Sequence, residues 1–478
     1  MQNCNIKILF YVFLLMSIVF TKNLTLHDYD NPSATHILDS EIIGDILIVS
    51  GMIGGIEFYD ISNRENLNHL TNLHLSGGGG GGGQGGGTKP NCIVASGNYA
   101  YVTTNRGLGV INISNPSNPQ YLGIVSNTDD YILEDLDVSN DLLAVSAHED
   151  GTLLFDISNP SNPSFISSVS GENVWTVSIV DDFLYIGDQN ILSIYSLTID
   201  PFNNSVNVDF LLDINLSNSI KDIETSHNDD YIFVALGSDG VVLVDYIIEN
   251  NDYEILDVFN TSALANKIDF FNETLYAQRL AVSDWDDVEI IEWDGLNLNL
   301  VGYKNTTRRT MGISVKDEYV YSSEWASVQI FEYGEIEGPD IDLSTYELNF
   351  PYVQNGESFT MQLDVINNGN SELNILDAYT TNDEFGYSIL NNLMPGELQI
   401  IDVTYTANAN NSSGSYRIFS NDSDEYEIIC ETNGNINGAN IGGDAPDFSL
   451  DIIANGQGLF TLSDYIGQVV ILAFFAPN

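Results

Sequence analysis

The sequence predicts a mainly β protein: a β-propeller, then a β-sandwich, then the opening of a small α/β unit. Three observations lead there. Residues 109–125 (GVINISNPSNPQYLGIV) and 153–169 (LLFDISNPSNPSFISSV) are near copies 44 residues apart, with an earlier cousin at Ile56–Asn63. Short β-rich runs separated by polar turns recur throughout, and seven third runs close on a polar residue: Asp60, Asn112, Asp156, Ser196, Asp245, Glu292 and Glu332. From about Asp340 this period breaks and a different spacing of alternating strands begins.

Four short strands per unit at a period of 40–50 residues is the pattern of propeller blades. One blade cannot bury both of its faces, whereas blades packed around an axis can. About seven blades are expected over 23–335, with six or eight as alternatives. The seventh unit, Met311 to Tyr333, shows only three strands, and Asn23–Tyr29 could supply its outer strand from the other end of the chain. The Ser-Asn-Pro-Ser-Asn-Pro runs at 114–119 and 158–163 are read as rigid turns. There Asn and Asp side chains bond the backbone two residues on, and Pro fixes φ. The motif L-x-V-x-D-x-S-N-P-x-N-P resembles the LVIVD-repeat family of secreted bacterial propellers; it is strong in the second and third units and degenerate in the fourth to seventh.

Composition excludes some roles. The chain has 478 residues, room for two to four domains, and 43% hydrophobic with 17% charged residues marks it as globular. Thirteen Lys+Arg against 68 Asp+Glu give −55, a field that repels nucleic acid and anionic lipid. Residues 1–22 read as an export signal: Lys7, an apolar run from Ile8 to Phe20, then polar Thr21-Lys-Asn. That run is short for a bilayer, so no membrane span is expected after cleavage, and the mature chain is expected to be secreted, periplasmic or at the cell surface. Cys92 and Cys430 would remain, as two buried free thiols, while Cys4 leaves with the signal.

Residues 340–435 carry Leu343–Phe350, Ser358–Asn367, an Asn-Asn-Gly-Asn turn, Met394-Pro-Gly-Glu397, Ile400–Tyr405 and Gly414–Asp422. Strands at this spacing argue for a sandwich. The order L-x-F, N-x-G, P-G, V-x-Y, G-x-x-x-I-x-S-N-D resembles the Ig-like modules called choice-of-anchor D or ASH-type, which implies a spacer or interaction module. Linkers fall at Gly334–Pro339 and Asn433–Gly443. Residues 441–478 contain Gly443-Asp-Ala-Pro-Asp-Phe-Ser-Leu450, Leu462-Ser-Asp-Tyr-Ile-Gly467 and the apolar run Val469–Phe475. This order resembles the start of a thioredoxin-like domain of the alkyl hydroperoxide reductase / thiol-specific antioxidant (redoxin) group. The resemblance implies a reactive cysteine immediately after Asn478, at a helix N-terminus that favours thiolate. The chain is then a fragment whose intact form is a thiol-dependent oxidoreductase using a thiol reductant, inactive as it stands. The alternative is a non-enzymatic adhesion or scaffold protein acting through the propeller.

Catalytic constellations are otherwise scarce, and no cofactor or metal centre is implied. The Gly77–Gly87 run lacks the Gly-Lys-Ser/Thr ending of a phosphate loop. Acidic pairs at Asp129-Asp130, Asp181-Asp182, Asp229-Asp230 and Asp286-Asp287 lack the order of a calcium loop and read as solvated turn tips. His148 and His227 belong to turns on opposite faces and should not share a metal. One face does collect cations: Lys89, Lys221, Lys267, Arg308 and Arg309 in turns leading into first strands, Arg106 and Arg279 in turns between second and third strands. Trp175, Trp285 and Trp325 map to the same side. An anionic or glycan-like ligand, or an extracytoplasmic protein, would suit that face; alternatively Asp135, Asp222 and Asp284 simply pair with the cations.

Overall fold

Apolar runs buried on both faces make the inner strands, and half-polar runs make the outer ones. Leu142–Ser146 (LLAVS) is buried throughout, whereas the fourth strand of the same sheet, Ser164–Val169 (SFISSV), has no buried residue. A computed structural model describes residues 22–75, 87–199, 206–225, 231–248, 250–271, 278–335, 337–408, 412–423, 425–435, 449–451 and 459–465. The expected export signal (except Lys22), most of the glycine run, His227, Asp229-Asp230, Asp447, Phe448 and the final apolar run lie outside the described residues. The chain divides into two units, residues 1–337 and 338–478.

The first unit is a β-propeller. Strand β1 (Lys22–Asp30) is followed by five antiparallel four-stranded meanders. Sheet I is β2 (Thr35–Ile43), β3 (Ile46–Ile53), β4 (Gly55–Asp60) and β5 (Asn68–Leu73). Sheet II is β6 (Pro90–Ser96), β7 (Tyr99–Thr104), β8 (Gly107–Asn112) and β9 (Gln120–Ile124). Sheet III is β10 (Leu136–Ser139), β11 (Leu142–Ser146), β12 (Thr152–Asp156) and β13 (Ser164–Val169). Sheet IV is β14 (Val174–Val180), β15 (Phe183–Asp188), β16 (Ile191–Ile199) and β17 (Val206–Asn215). Sheet V is β18 (Asp222–Thr225), β19 (Tyr231–Ala235), β20 (Val241–Ile247) and β21 (Asp252–Phe259). Sheet VI is six-stranded: β22 (Ala265–Phe270), β23 (Gln278–Trp293), β24 (Leu298–Lys316), β25 (Tyr319–Glu324), β26 (Ser327–Glu335) and, last, β1. The expected outer strand from Asn23–Tyr29 is there, paired antiparallel with β26.

Hydrophobic clusters fill the spaces between successive sheets. Tyr101 and Val110 of sheet II meet Leu143 and Phe155 of sheet III, and Phe233 and Leu243 of sheet V meet Ile268 and Val282 of sheet VI. One cluster joins Leu47 and Tyr59 of sheet I to Tyr321 and Ile330 of sheet VI, which closes the ring. The pairing of third with fourth strands shifts register before Tyr59, Ile111, Phe155, Tyr195, Val244 and Ile291. Each bulge lies one residue ahead of a closing polar position. Asp60, Asn112 and Asp156 then accept the amides of Ser62, Ser114 and Ser158, the two-residue reach expected of these turns.

The second unit has two four-stranded sheets around one core. Its strands are β27 (Ile341–Leu343), β28 (Glu347–Asn349), β29 (Ser358–Asn367), β30 (Ile375–Thr380), β31 (Phe385–Tyr387), β32 (Leu398–Thr406), β33 (Ser412–Ser420) and β34 (Glu427–Gly434). The sheet orders are β27-β29-β32-β31 and β28-β34-β33-β30. Leu363, Val365, Ile401 and Tyr405 from one sheet share a cluster with Leu348, Tyr416, Ile418 and Cys430 from the other. The single strand expected at Leu343–Phe350 is two short ones in different sheets, because the chain crosses between layers at Ser344–Tyr346. A hairpin of β35 (Ser449–Asp451) and β36 (Leu459–Thr461) and a 3₁₀ turn at Leu462–Tyr465 follow. Cys92 and Cys430 are buried and free, as expected.

Candidate functional site

The first strands of sheets I to V, β22 and the end of β24 pack side by side in a closed circle, β24 against β2. Strand residues two apart share a face, so four pairs project to the axis: Asp39 and Glu41, Asp135 and Asp137, Asp222 and Glu224, Lys267 and Asp269. They line a cavity of about 300 Å³. The inner edge of each sheet has backbone N–H groups that no ladder satisfies, and the carboxylates accept them. Asp39 takes the amide of Ile93, Asp137 that of Ile179, Asp222 that of Ile268 and Asp269 that of Val315, at 2.6–2.9 Å. Asp135 accepts the Thr176 hydroxyl at 2.7 Å. These bonds stitch sheet I to II, III to IV and V to VI, and β22 to β24.

One ammonium serves the whole channel. Lys267 Nζ lies 2.9 Å from Asp135 Oδ1 and 3.2 Å from Asp222 Oδ1. Burial works against its charge, but the two carboxylates outweigh it and hold the ammonium well above its usual range. Burial also pushes up the acids. Asp39 and Asp269 rise to about 7 and Asp137 to about 6, while Glu41 and Glu224 lie well above the carboxylate range. The channel therefore retains protons near neutral pH.

One end of the channel opens into a second cavity of about 220 Å³, lined by Leu38, Asn91, Cys92, Glu134, Trp175, Lys221, Asn266, Lys267 and Met311. Lys221 Nζ sits 5.0 Å above the Trp175 ring. His148 packs edge-on against that ring at 5.4 Å and bonds Glu134 and Asn173. Burial lowers the His148 pKa, but those bonds prevail and raise it overall. Arg309 Cζ lies 4.7 Å from the Trp285 ring and 5.6 Å from Trp325, which in turn packs tilted against His36 with centroids 4.3 Å apart.

The expected cation face is thus partly assembled. Trp175 with Lys221, and Arg309 with Trp285 and Trp325, form two cation–aromatic groups on the side where first strands begin. Lys89 leads into β6 on that side, where its amide donates to Asn105, and Arg106 lines a separate cleft with Asn127 and Asp129. Three readings need correction. Lys267 lies within the channel, bonded to Asp135 and Asp222, because the third residue of β22 already faces the axis. Arg279 is on the opposite face, since β23 begins there: it pairs with Glu292 at 2.7 Å and lies over Tyr333, at the far end of the hairpin from Trp285. Asp287, read as a solvated tip, is buried, although Asp129, Asp130, Asp181 and Asp182 are exposed. The Arg308 side chain lies outside the described residues.

Sequence reasoning offered Asp135 and Asp222 only as partners of the cations, which both are for Lys267, and missed Asp39, Glu41, Asp137, Glu224 and Asp269. The available signal was the acid-x-acid spacing at the start of alternate units, Asp39-Ser-Glu41, Asp135-Leu-Asp137 and Asp222-Ile-Glu224, repeated as Lys267-Ile-Asp269. Among the described residues, two other acidic groups bring oxygens within 4.8 Å of one another: Asp284, Asp287 and Glu289, and Asp340, Asp422 and Glu425.

Comparison with known proteins identifies LVIVD repeats at residues 89–127, 134–170 and 171–195. These cover sheets II and III and run into sheet IV. No curated protein matches the chain. Among solved structures, a chain of a mitotic checkpoint complex aligns over 65% of this chain and 96% of its own, at 9% identity and a TM-score of 0.50. The computationally designed Ika8 protein aligns over 65% and 99% respectively, at 12% identity and a TM-score of 0.44. At such identities the first likeness speaks for the fold alone.

Proposed function

We propose that this chain is an exported binding protein that holds an anionic or glycan partner at the mouth of a seven-bladed propeller. The observation that carries the reading is the pair of cation–aromatic groups at one end of the channel, Lys221 on Trp175 and Arg309 between Trp285 and Trp325. A tryptophan face offers a sugar ring a flat apolar contact, and a cation above it offers a carboxylate or sulfate a partner. In an overall acidic molecule these local cations still decide, because charges beyond about 8 Å are screened at physiological ionic strength. Seven blades are supported by β23 and β24, each long enough to serve two adjacent hairpins, and by the seven first-strand segments around the axis.

The second unit fits an Ig-like spacer, supported by its two sheets on one core. A second reading makes the whole protein a thiol oxidoreductase that the propeller delivers to its target. It is favoured by the hairpin Ser449–Thr461 followed directly by the turn at Leu462–Tyr465, the order that the redoxin resemblance implies. The reactive cysteine would then follow Asn478, and a thiol reductant would be a partner.

The binding reading is tested by titrating sulfated and carboxylated oligosaccharides into the full chain and its variants. Lys221→Ala with Arg309→Ala, and separately Trp175→Ala, should weaken binding at least tenfold while thermal unfolding stays within a few degrees. Unchanged affinity in the double variant would dispose of the mouth as the site. For the second reading, a gene whose codons beyond Asn478 encode no cysteine leaves the binding protein alone.

A further inference from the structure

Four carboxylates, Asp284, Asp286, Asp287 and Glu289, fall within six residues where β23 passes from one hairpin to the next. Trp285 bends the chain there at φ +52, uncommon for a bulky residue, and the register shifts between Trp285 and Asp287. Across that kink Asp284 and Asp287 converge, and strand alternation puts Glu289 on the side of Asp287. All three are at most 4% exposed, and each offers an oxygen within 4.8 Å of the others.

Donors are too few for these six oxygens. The Ser262 amide reaches Glu289 Oε1 at 2.9 Å, and the Ala263 amide reaches Asp284 Oδ2 at 2.6 Å. Ser262 Oγ lies 2.9 Å from both Asp284 Oδ2 and Asp287 Oδ2, yet a hydroxyl has one hydrogen to give. Asp284 Oδ1, Asp287 Oδ1 and Glu289 Oε2 are buried with no partner. Among the described residues, none of the three carboxylates pairs with a lysine, arginine or histidine. Buried polar atoms are ordinarily satisfied, and buried charges ordinarily paired or on a metal.

We propose that Asp284, Asp287 and Glu289 form a binding site for a hard divalent cation such as calcium. Calcium takes carboxylate oxygens at about 2.3–2.6 Å, and one oxygen from each of the three carboxylates lies within 4.8 Å of the others, close enough for a single ion to reach all three. The site stands apart from the ligand proposed for the mouth, although Trp285 belongs to both neighbourhoods.

Terbium titration of the chelator-stripped full chain tests this, because Trp285 is close enough to sensitise the ion's emission. Emission should saturate, be displaced by calcium, and be largely lost in Trp285→Phe, which retains calcium binding. Calcium at a hundredfold excess over its Kd should raise the thermal midpoint by about 5 °C. Asp287→Asn with Glu289→Gln should weaken calcium at least tenfold; because it removes repulsion, its calcium-free midpoint should match or exceed that of the wild type. An undiminished calcium response in that variant, or no saturable terbium binding by the wild type, overturns the proposal. Loss of oligosaccharide binding in the Lys221 and Arg309 variants leaves the calcium response unchanged, so the two readings fail separately.

Discussion

Lys267 Nζ lies 2.9 Å from Asp135 Oδ1, so a cation of the sixth sheet neutralises a carboxylate of the third across the channel. Its second bond, to Asp222, makes it the hub of three sheets. Removing one partner of a buried ion pair leaves an uncompensated charge and costs about 3–5 kcal/mol. Lys267→Met should therefore lower unfolding stability by about 3 kcal/mol, the lower end because the side chain is 18% exposed. Adding Asp135→Asn should restore part of that loss. A loss below about 1 kcal/mol in denaturant titrations, or no recovery in the double variant, would contradict the hub role.

The raised channel acids give stability a definite pH slope. Asp39 and Asp269 near 7 and Asp137 near 6 keep protons that the unfolded chain loses at around pH 4. Between those values the native state binds more protons, so stability falls as pH rises from about 4 to 7 and then levels. His148, also raised, acts with the same sign, as its share is lost as pH rises through its native value. Glu57 opposes them: burial alone would raise it, but bonds from His69 and Ala34 bring it below the usual range. Its share is lost only on acidification below about pH 4.5. The thermal midpoint should thus decline between pH 5 and 7.5, and Asp39→Asn with Asp269→Asn should flatten the decline. A midpoint that climbs over that interval refutes this account.

Two glycines test the turn geometry. Gly151 has φ +80, and a Cβ there would overlap the carbonyl of Val169; Gly240 in sheet V has φ +73 and meets Phe259 in the same way. Gly44 has φ +61 but open space around it. Alanine at Gly44 should cost only the left-handed strain, about 1 kcal/mol. At Gly151 or Gly240 it should cost more than about 2 kcal/mol, since backbone must also shift. Equal losses at Gly44 and Gly151, measured by chemical denaturation, would remove the steric part of the argument.

The repeat was legible because it is written in residues whose local physics is strong. Asp60, Asn112 and Asp156 mark the turn after a third strand, and each bonds the amide two residues on. The closure by Asn23–Tyr29 could be read because Met311–Tyr333 lacks an outer strand. Legibility ended at pairings set by three-dimensional neighbours. Arg279 was placed on the wrong face because one polar stretch, with no turn signature, hides which end of a hairpin it occupies. The convergence of Asp284, Asp287 and Glu289 depends on the Trp285 backbone, which no spacing rule conveys.

Strand β1 leaves the ribosome before every other part of the ring, yet its partner β26 comes about three hundred residues later. Until then it waits with both flanks open, and the last sheet lacks a margin. Ring completion is consequently the slow, late step of folding, set by the chance meeting of distant segments rather than by local order. Any product that stops short of β26 carries a bare strand in search of a home, and its unpaired edge is open to the edge of a second such chain.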